Sequence, residues 1–324
     1  MKGEDSLLAE VAMLYYYDGL TQEEIAKRLG VSRSSVSRML SQARKKRIVE
    51  IHINYPWQVD QYLQVQLQEK FNLRLARVLK VNGWDYKRIL LGLGAIAARY
   101  LEGILNENFI LAIGWGTAVY HVVEAIKPMK LSGVQVVQMI GAVGAGDPLV
   151  DGPELARILA QKLGGTCYYL HAPLVVRDEK IRDALMNEPR IKEILKLAAK
   201  ANIALVGIGS TDPSISSLLR AGYITLEELK LLREKGAVGD VCARHFDLNG
   251  NILDIELNKR IVGISIEDLK KIECIIGVAG SKAKAPAILG ALKGNFINVL
   301  FTDNEAAQEI LRLEAEISEG RRYR

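Results

Sequence analysis

From Leu75 onward the chain alternates short runs of apolar, β-branched residues with segments of helical periodicity, and few architectures accept that pattern. The clearest runs are 109–113, 134–140, 203–208, 272–278 and 297–301. Their nearly continuous apolar character predicts strands covered on both faces, the condition of a parallel sheet between two helical layers. Helical spacing over 85–105, 117–126, 154–163, 181–200, 226–235, 281–292 and 305–313 supplies those layers. The expected fold is therefore a doubly wound α/β domain over 75–324. The pair Asn249-Gly250 predicts a hairpin turn after a strand near 241–246.

The first fifty-odd residues are of a different kind. Over 7–17 an apolar face of Leu8, Val11, Ala12 and Tyr15 predicts a helix closed by Asp18-Gly19. Ile25, Ala26 and Leu29 share a second helical face, Gly30 permits a left-handed turn, and Val31, Val36, Met39 and Leu40 form a third. Thr21 with Glu24, and Ser32 alone, provide the oxygens that unpaired first-turn amides require. Two short helices across a tight turn are the expectation, and the alternating residues 48–53 extend it with a small wing strand. Eight basic residues and no acidic one lie between Lys27 and Arg47, as suits a helix seated against phosphates. With Val36 and Met39 turned inward, Arg33, Ser34, Ser37 and Arg38 face outward as base readers. Arg44, Lys45, Lys46 and Arg47 at the helix end suit phosphate contacts. The competing reading is a helical hairpin with a solvated basic face.

The domain organisation expected is a helix-turn-helix, winged-helix-like DNA-binding domain over 1–55, a linker or oligomerisation helix over 56–74 and an effector domain over 75–324. Val59, Leu63, Leu67 and Phe71 recur on the otherwise Gln-rich linker helix, which suits either a partner helix in a dimer or packing onto its own second domain. The formal net charge of +5 is mild and its basic excess is local, which argues for one nucleic-acid contact rather than polycation behaviour. Cys167, Cys242 and Cys274 have no paired spacing, so neither a zinc cluster nor a disulfide framework is expected. His52, His121, His171 and His245 are scattered without metal-ligand spacing, and no metal or other cofactor is expected. No apolar run approaches the roughly 20 residues of a membrane span, so a cytoplasmic protein is expected.

Two strand-to-helix loops carry the chemistry. In Gly114-Trp115-Gly116-Thr117-Ala118 the glycines let backbone amides face an anion at a helix start, and phosphate is the natural ligand. Gly280-Ser281-Lys282 repeats the arrangement with a hydroxyl and a point charge. Gln138 and Asp240 suit sugar hydroxyls; their alternatives are an amide satisfied by backbone and a structural cap. The loop 141–147 reads G-x-x-G-x-G, without an acidic residue placed to hold a ribose, which excludes a dinucleotide fingerprint. No P-loop, nucleophile elbow or H-E-x-x-H helix occurs.

These blocks together resemble the SorC family of sugar-binding transcriptional regulators, which includes deoxyribonucleoside and central glycolytic gene regulators. The likeness is carried by LYYYDGLTQEEIAKRLGVSRSSVSRML, GWGTAVY, GVQVVQMIGAVG, ANIALVGIGS, GAVGDVCARHFDLNGN and VAGSKAKAPAILGAL, in that order along nearly the whole chain. It implies an effector domain related in fold to the ribose-phosphate isomerase and glucosamine-phosphate deaminase group, without enzymatic activity, that binds a phosphorylated sugar. Gly116, Thr117, Ala118, Gly280, Ser281 and Lys282 are its implied phosphate contacts, and Gln138 and Asp240 its implied sugar contacts. One departure stands out. Where the deoxyribonucleoside branch has a lysine able to capture an aldehyde as an imine, this chain has Ile140, so reversible binding is expected. The resulting expectation is a dimeric or tetrameric repressor of a carbohydrate operon, bound to operator DNA and released by a sugar phosphate. Its rivals are a sugar-phosphate isomerase with a DNA-binding head, using Asp240 as base, and a constitutive DNA-binding scaffold.

Overall fold

Thr21 and Glu24 close a reciprocal cap at the start of the second helix: the Thr21 hydroxyl accepts the Glu24 amide at 3.3 Å and the Glu24 carboxylate accepts the Thr21 amide at 2.8 Å. A computed structural model of the chain describes residues 3–46, 48–49, 56–144 and 147–319. The chain divides into two units, Met1–Pro56 and Trp57–Arg324. In the first, α1 (Glu4–Tyr16), α2 (Gln22–Leu29) and α3 (Arg33–Lys45) follow one another. Gly30 ends α2 in the left-handed region, at φ +67°, where a side chain would be strained. Ser32 caps α3 by accepting the Ser35 amide at 3.1 Å. Val11, Leu14, Ile25, Ala26, Val36 and Leu40 pack into one small core, with Leu8, Ala12 and Ala43 beside it. Ile48 and Val49 form a bend against that second cluster. The rest of the expected wing strand, 50–53, lies outside the described residues.

The second unit begins with α4 (Gln61–Phe71), capped by Asp60, whose Leu63 and Leu67 are buried with Leu73, Val78 and Leu313. Of the two alternatives for this apolar stripe, Leu63 and Leu67 take the packing onto their own unit, while Tyr62 and Val65 stay exposed. There follow β1 (Leu75–Leu79), α5 (Tyr86–Ile104), β2 (Ile110–Ile113), α6 (Thr117–Ala125), β3 (Gln135–Gln138), α7 (Gly152–Leu163) and β4 (Thr166–Tyr168). Next come α8 (Glu179–Asn187), α9 (Pro189–Ala198) and β5 (Ile203–Gly207). The single helix expected over 181–200 is broken because proline disfavours a helical residue before it, and Glu188 is extended at ψ 130°. A small sheet and short helices come after β5: β6 (Gly209–Ser210), α10 (Ser217–Arg220), α11 (Leu226–Glu234), β7 (Gly239–Val241), β8 (Arg244–Phe246), α12 (Glu256–Lys259) and α13 (Ile266–Leu269). The chain closes with β9 (Cys274–Val278), α14 (Ala285–Lys293), β10 (Val299–Asp303) and α15 (Asn304–Ser318).

Seven strands form one parallel sheet in the order β1-β10-β9-β5-β2-β3-β4. Successive residues of each strand serve opposite layers, as the pleat demands. Leu111, Ile113, Leu205, Ile276 and Phe301 pack with α5, α6 and α7, whereas Ala112, Val206, Ile275 and Leu300 pack with α4, α9, α14 and α15. The observed fold is therefore of the mixed α/β class with a mostly parallel sheet, preceded in sequence by a helix-turn-helix unit. Strands β6, β7 and β8 make a separate antiparallel sheet whose β7–β8 turn places Cys242 and Ala243 at φ +50° and +60°.

Candidate functional site

The sense of the connections along the sheet reverses between β2 and β5. The chain leaving β2 proceeds through α6 to β3 on one side, and the chain leaving β5 travels to β9 on the other, so a crevice opens beyond the carboxyl ends of these neighbours. A cleft enclosing about 520 Å³ of space, open mouth included, lies there. Its walls are the turn 114–118 after β2, the stretch 206–209 at the end of β5, and residues from five further segments.

Gly116 caps α6 at φ +110°, a conformation glycine alone adopts easily, and no side chain caps the helix. The Gly116 amide donates to Val150 O at 2.9 Å. Thr117 and Ala118, in the first turn of α6 where amides lack intrahelical partners and the helix dipole is positive, line the cleft. The other two glycine loops differ because protein carboxylates already fill them. Val143 and Gly144 donate to Asp151 at 2.8 Å each, and Ser281 donates to Asp303.

Of the residues singled out above for the effector, Gly116, Thr117, Ala118 and Asp240 line the cleft. Gln138 is fully buried in β3, where its amide nitrogen donates to Ile140 O at 2.7 Å and its oxygen accepts the Leu170 amide at 3.1 Å. Gly280 packs against Asp303 and Leu93 too closely for a Cβ. The Ser281 side chain follows a strained φ of +81°, and Lys282 points to solvent 3.7 Å from Glu309. None of these four lines the cleft. Ile140 does, as an apolar wall.

Asp240 is the cross-strand partner of both Gly209 and His245, and Gly209 makes room for its carboxylate, since a Cβ there would sit 1.9 Å from an Asp240 oxygen. The residue is 8% exposed and lines the cleft, yet its carboxylate has no hydrogen-bond partner among the described residues. An ionised carboxylate is an acceptor only, able to take hydrogen bonds from hydroxyl groups.

The sequence pattern did not single out Lys284, Tyr86 or Ser217. A short 3-10 turn, Lys282–Lys284, precedes α14 and carries Lys284 inward, where it lines the cleft and donates to Ile208 O. The available signal was a lysine set between alanines at the start of an apolar helix, an environment unusual for a solvated charge. Burial lowers its pKa from 10.5 to about 8, with Asp240 opposing the shift and Arg220 reinforcing it. Below pH 8 the ammonium is charged in folded and unfolded chains alike, and the burial penalty is fully present. Between pH 8 and 10.5 the unfolded chain holds the extra proton, so stability rises with pH. Lys284→Met should remove a rise on the order of 3 kcal/mol over that window in denaturant titrations. Parallel pH profiles for variant and parent would show that Lys284 is not held in a desolvated site.

In the first unit, Arg33, Ser34, Ser37, Arg38, Arg44 and Lys45 are all exposed on α3. Val36, Leu40 and Ala43 face inward, so Ser34, Arg38 and Lys45 share the opposite side, and Arg33, Ser37 and Arg44 flank it. Ser34 shares a hydroxyl contact with the capping Ser32 at 2.8 Å. Lys46 is exposed but pairs with Asp5 at 2.8 Å and Glu4 at 3.3 Å on α1. Arg47 lies outside the described residues.

The sugar-binding domain family matches residues 56–312, and region 4 of Sigma-70 matches residues 9–46. The chain is 33% identical over 308 residues to the Deoxyribonucleoside regulator of Bacillus subtilis (strain 168), covering 95% of this chain and 98% of the relative. It is 30% identical over 317 residues to the Sorbitol operon regulator of Klebsiella pneumoniae, covering 94% and 98%. The crystal structure of the full-length Klebsiella pneumoniae sorbitol operon regulator SorC superposes with a TM-score of 0.74 at 31% identity, over 94% of this chain and 98% of that one. These relatives are named as regulators, and the chain is also 33% identical over 313 residues to the Transcriptional regulator LsrR of Enterobacter sp. (strain 638), covering 96% of this chain and 94% of the relative.

Proposed function

This chain belongs to the SorC family of sugar-binding transcriptional regulators, and from that premise we propose that a phosphorylated sugar held in the β2–β5 cleft controls its binding to operator DNA. The DNA-binding regulator is the established part; the effector, its site and the direction of control are the proposal. The observation that carries it is the nearly buried, hydrogen-bond-free carboxylate of Asp240 beside the uncapped start of α6. One element suits a phosphate and the other suits sugar hydroxyls. Lys284 adds a cation between apolar walls. In this reading the protein is a cytoplasmic repressor of a carbohydrate operon, acting as a homodimer or homotetramer whose paired heads bind two half-sites. No substrate is turned over. The effector releases DNA because it prefers the unbound arrangement of the protein, and the two affinities are thermodynamically linked.

The test is thermal denaturation against a panel of sugar phosphates and the matching free sugars. At a hundredfold excess over Kd, a ligand stabilises the state it binds by ~2.7 kcal/mol. Midpoints then rise by roughly 2–4 °C per kcal/mol for a domain of this size. Stabilisation by phosphorylated sugars alone is expected, and none with any sugar phosphate would refute the effector. The free carboxylate also suits a general base for aldose–ketose isomerisation. That second reading requires turnover of a sugar phosphate that disappears in Asp240→Asn.

On the DNA side, Arg38→Ala should relax operator preference at a cost of ~1–3 kcal/mol, whereas Lys45→Ala should weaken all sequences alike and lower the salt slope by about one. Lys45 is the cleaner phosphate probe because Lys46 is already engaged by α1. Equal loss of preference in both variants would remove the division into base and phosphate contacts.

A further inference from the structure

Two polar side chains of the cleft have protein partners: Lys284 donates to Ile208 O, and the Ser217 hydroxyl accepts from Arg220 at 3.3 Å. Tyr86, like Asp240, has none among the described residues. It is the first residue of α5, set there by Asp85, which accepts the Arg88 amide at 2.7 Å and so fixes the helix start at the cleft wall. Its phenol feels the charges of Arg220 and Asp303 but bonds to neither, and it has no hydrogen-bond partner among the described residues. Asp303 cannot serve it readily, because one oxygen accepts the Ser281 amide and the other the Ala306 amide at 2.9 Å. Burial pushes the phenol up to about 12, so it remains a neutral hydroxyl at any physiological pH.

We infer that Tyr86 is a specificity-determining residue of the cleft, its phenol hydrogen-bonding an oxygen of the sugar portion of the effector rather than its phosphate. The inference rests on the sugar-phosphate reading above. The phosphate is matched by the amides of Thr117 and Ala118, which need no help from a phenol. A hydroxyl in a half-buried wall, lacking a protein partner, discriminates instead between ligands that offer an oxygen at that point and those that do not. Rejection then arises because the analogue leaves the phenol unpaired.

Tyr86→Phe removes only the hydroxyl and keeps the ring that lines the wall. The full-length chain is titrated calorimetrically with inorganic phosphate and with aldose, ketose and deoxy-sugar monophosphates. For the sugar monophosphate that binds the parent most tightly, the variant should lose about tenfold in Kd. Inorganic phosphate and operator DNA should bind both proteins alike. At least one deoxy analogue should bind parent and variant equally, which identifies the oxygen that is read. Unchanged sugar-phosphate affinity in the variant would overturn the inference, as would an equal loss for inorganic phosphate, since that marks a general disturbance of the cleft. Failure of every sugar phosphate to bind the parent is a different result: it refutes the effector reading itself and the role of Tyr86 with it.

Discussion

Val36→Asp should abolish operator binding while leaving the sugar-phosphate response of the second unit intact. Val36 has no exposed surface and sits among Val11, Leu14, Ile25, Ala26 and Leu40. A lone carboxylate in that position has no cation to pair with, and burying it costs several kcal/mol, about the whole stability expected of a domain this small. Among the described residues, none of those in the three-helix clusters belongs to the clusters of the large sheet, so each unit has a core of its own. Denaturation should therefore lose the contribution of the head, and the ligand-dependent midpoint of the large unit should remain. Loss of both responses together would mean that the units do not fold independently.

The second large effect is expected at the start of α6. Ala118 lines the cleft, and Ala118→Asp places a carboxylate where the phosphate is proposed to sit. Two like charges about 4 Å apart at an effective dielectric near 20 repel by ~4 kcal/mol, so affinity for a sugar phosphate should fall at least about a hundredfold. The fold should be unharmed, because an acidic residue in the first helical turn stabilises the helix by ~0.3–1 kcal/mol. Calorimetry gives the affinity and the unliganded midpoint together. An unchanged affinity would mean the phosphate is held elsewhere, and Lys284 would be the first place to look.

Much of this architecture can be read before any coordinates. Thr21, Glu24, Gly30 and Ser32 announce the helix-turn-helix because caps and left-handed turns depend on local chemistry alone. The central strands are equally plain, since strands covered on both faces leave uninterrupted apolar runs. The Cys242-Ala243 turn is invisible, because neither residue favours the left-handed backbone that tertiary packing imposes. The site is legible only in part. Gly116 and Asp240 can be named from loop chemistry, but which glycine loop stays open depends on Asp151 and Asp303, whose carboxylates come from other segments. Likewise, two lysines stand two positions apart, and only the 3-10 turn decides that Lys282 meets solvent while Lys284 enters the cleft.

The central claim is a coupling between cleft and operator, and its most direct measurement is operator affinity with and without a saturating sugar phosphate that stabilises the protein. Couplings of this kind are typically 1–3 kcal/mol, so Kd for operator should rise roughly 5- to 150-fold. The operator should weaken the sugar phosphate by the same factor, and Ala118→Asp should bind operator normally without responding. An operator affinity that does not change at saturating ligand would contradict the account, leaving a sugar-binding domain and a DNA-binding head with no linkage between them.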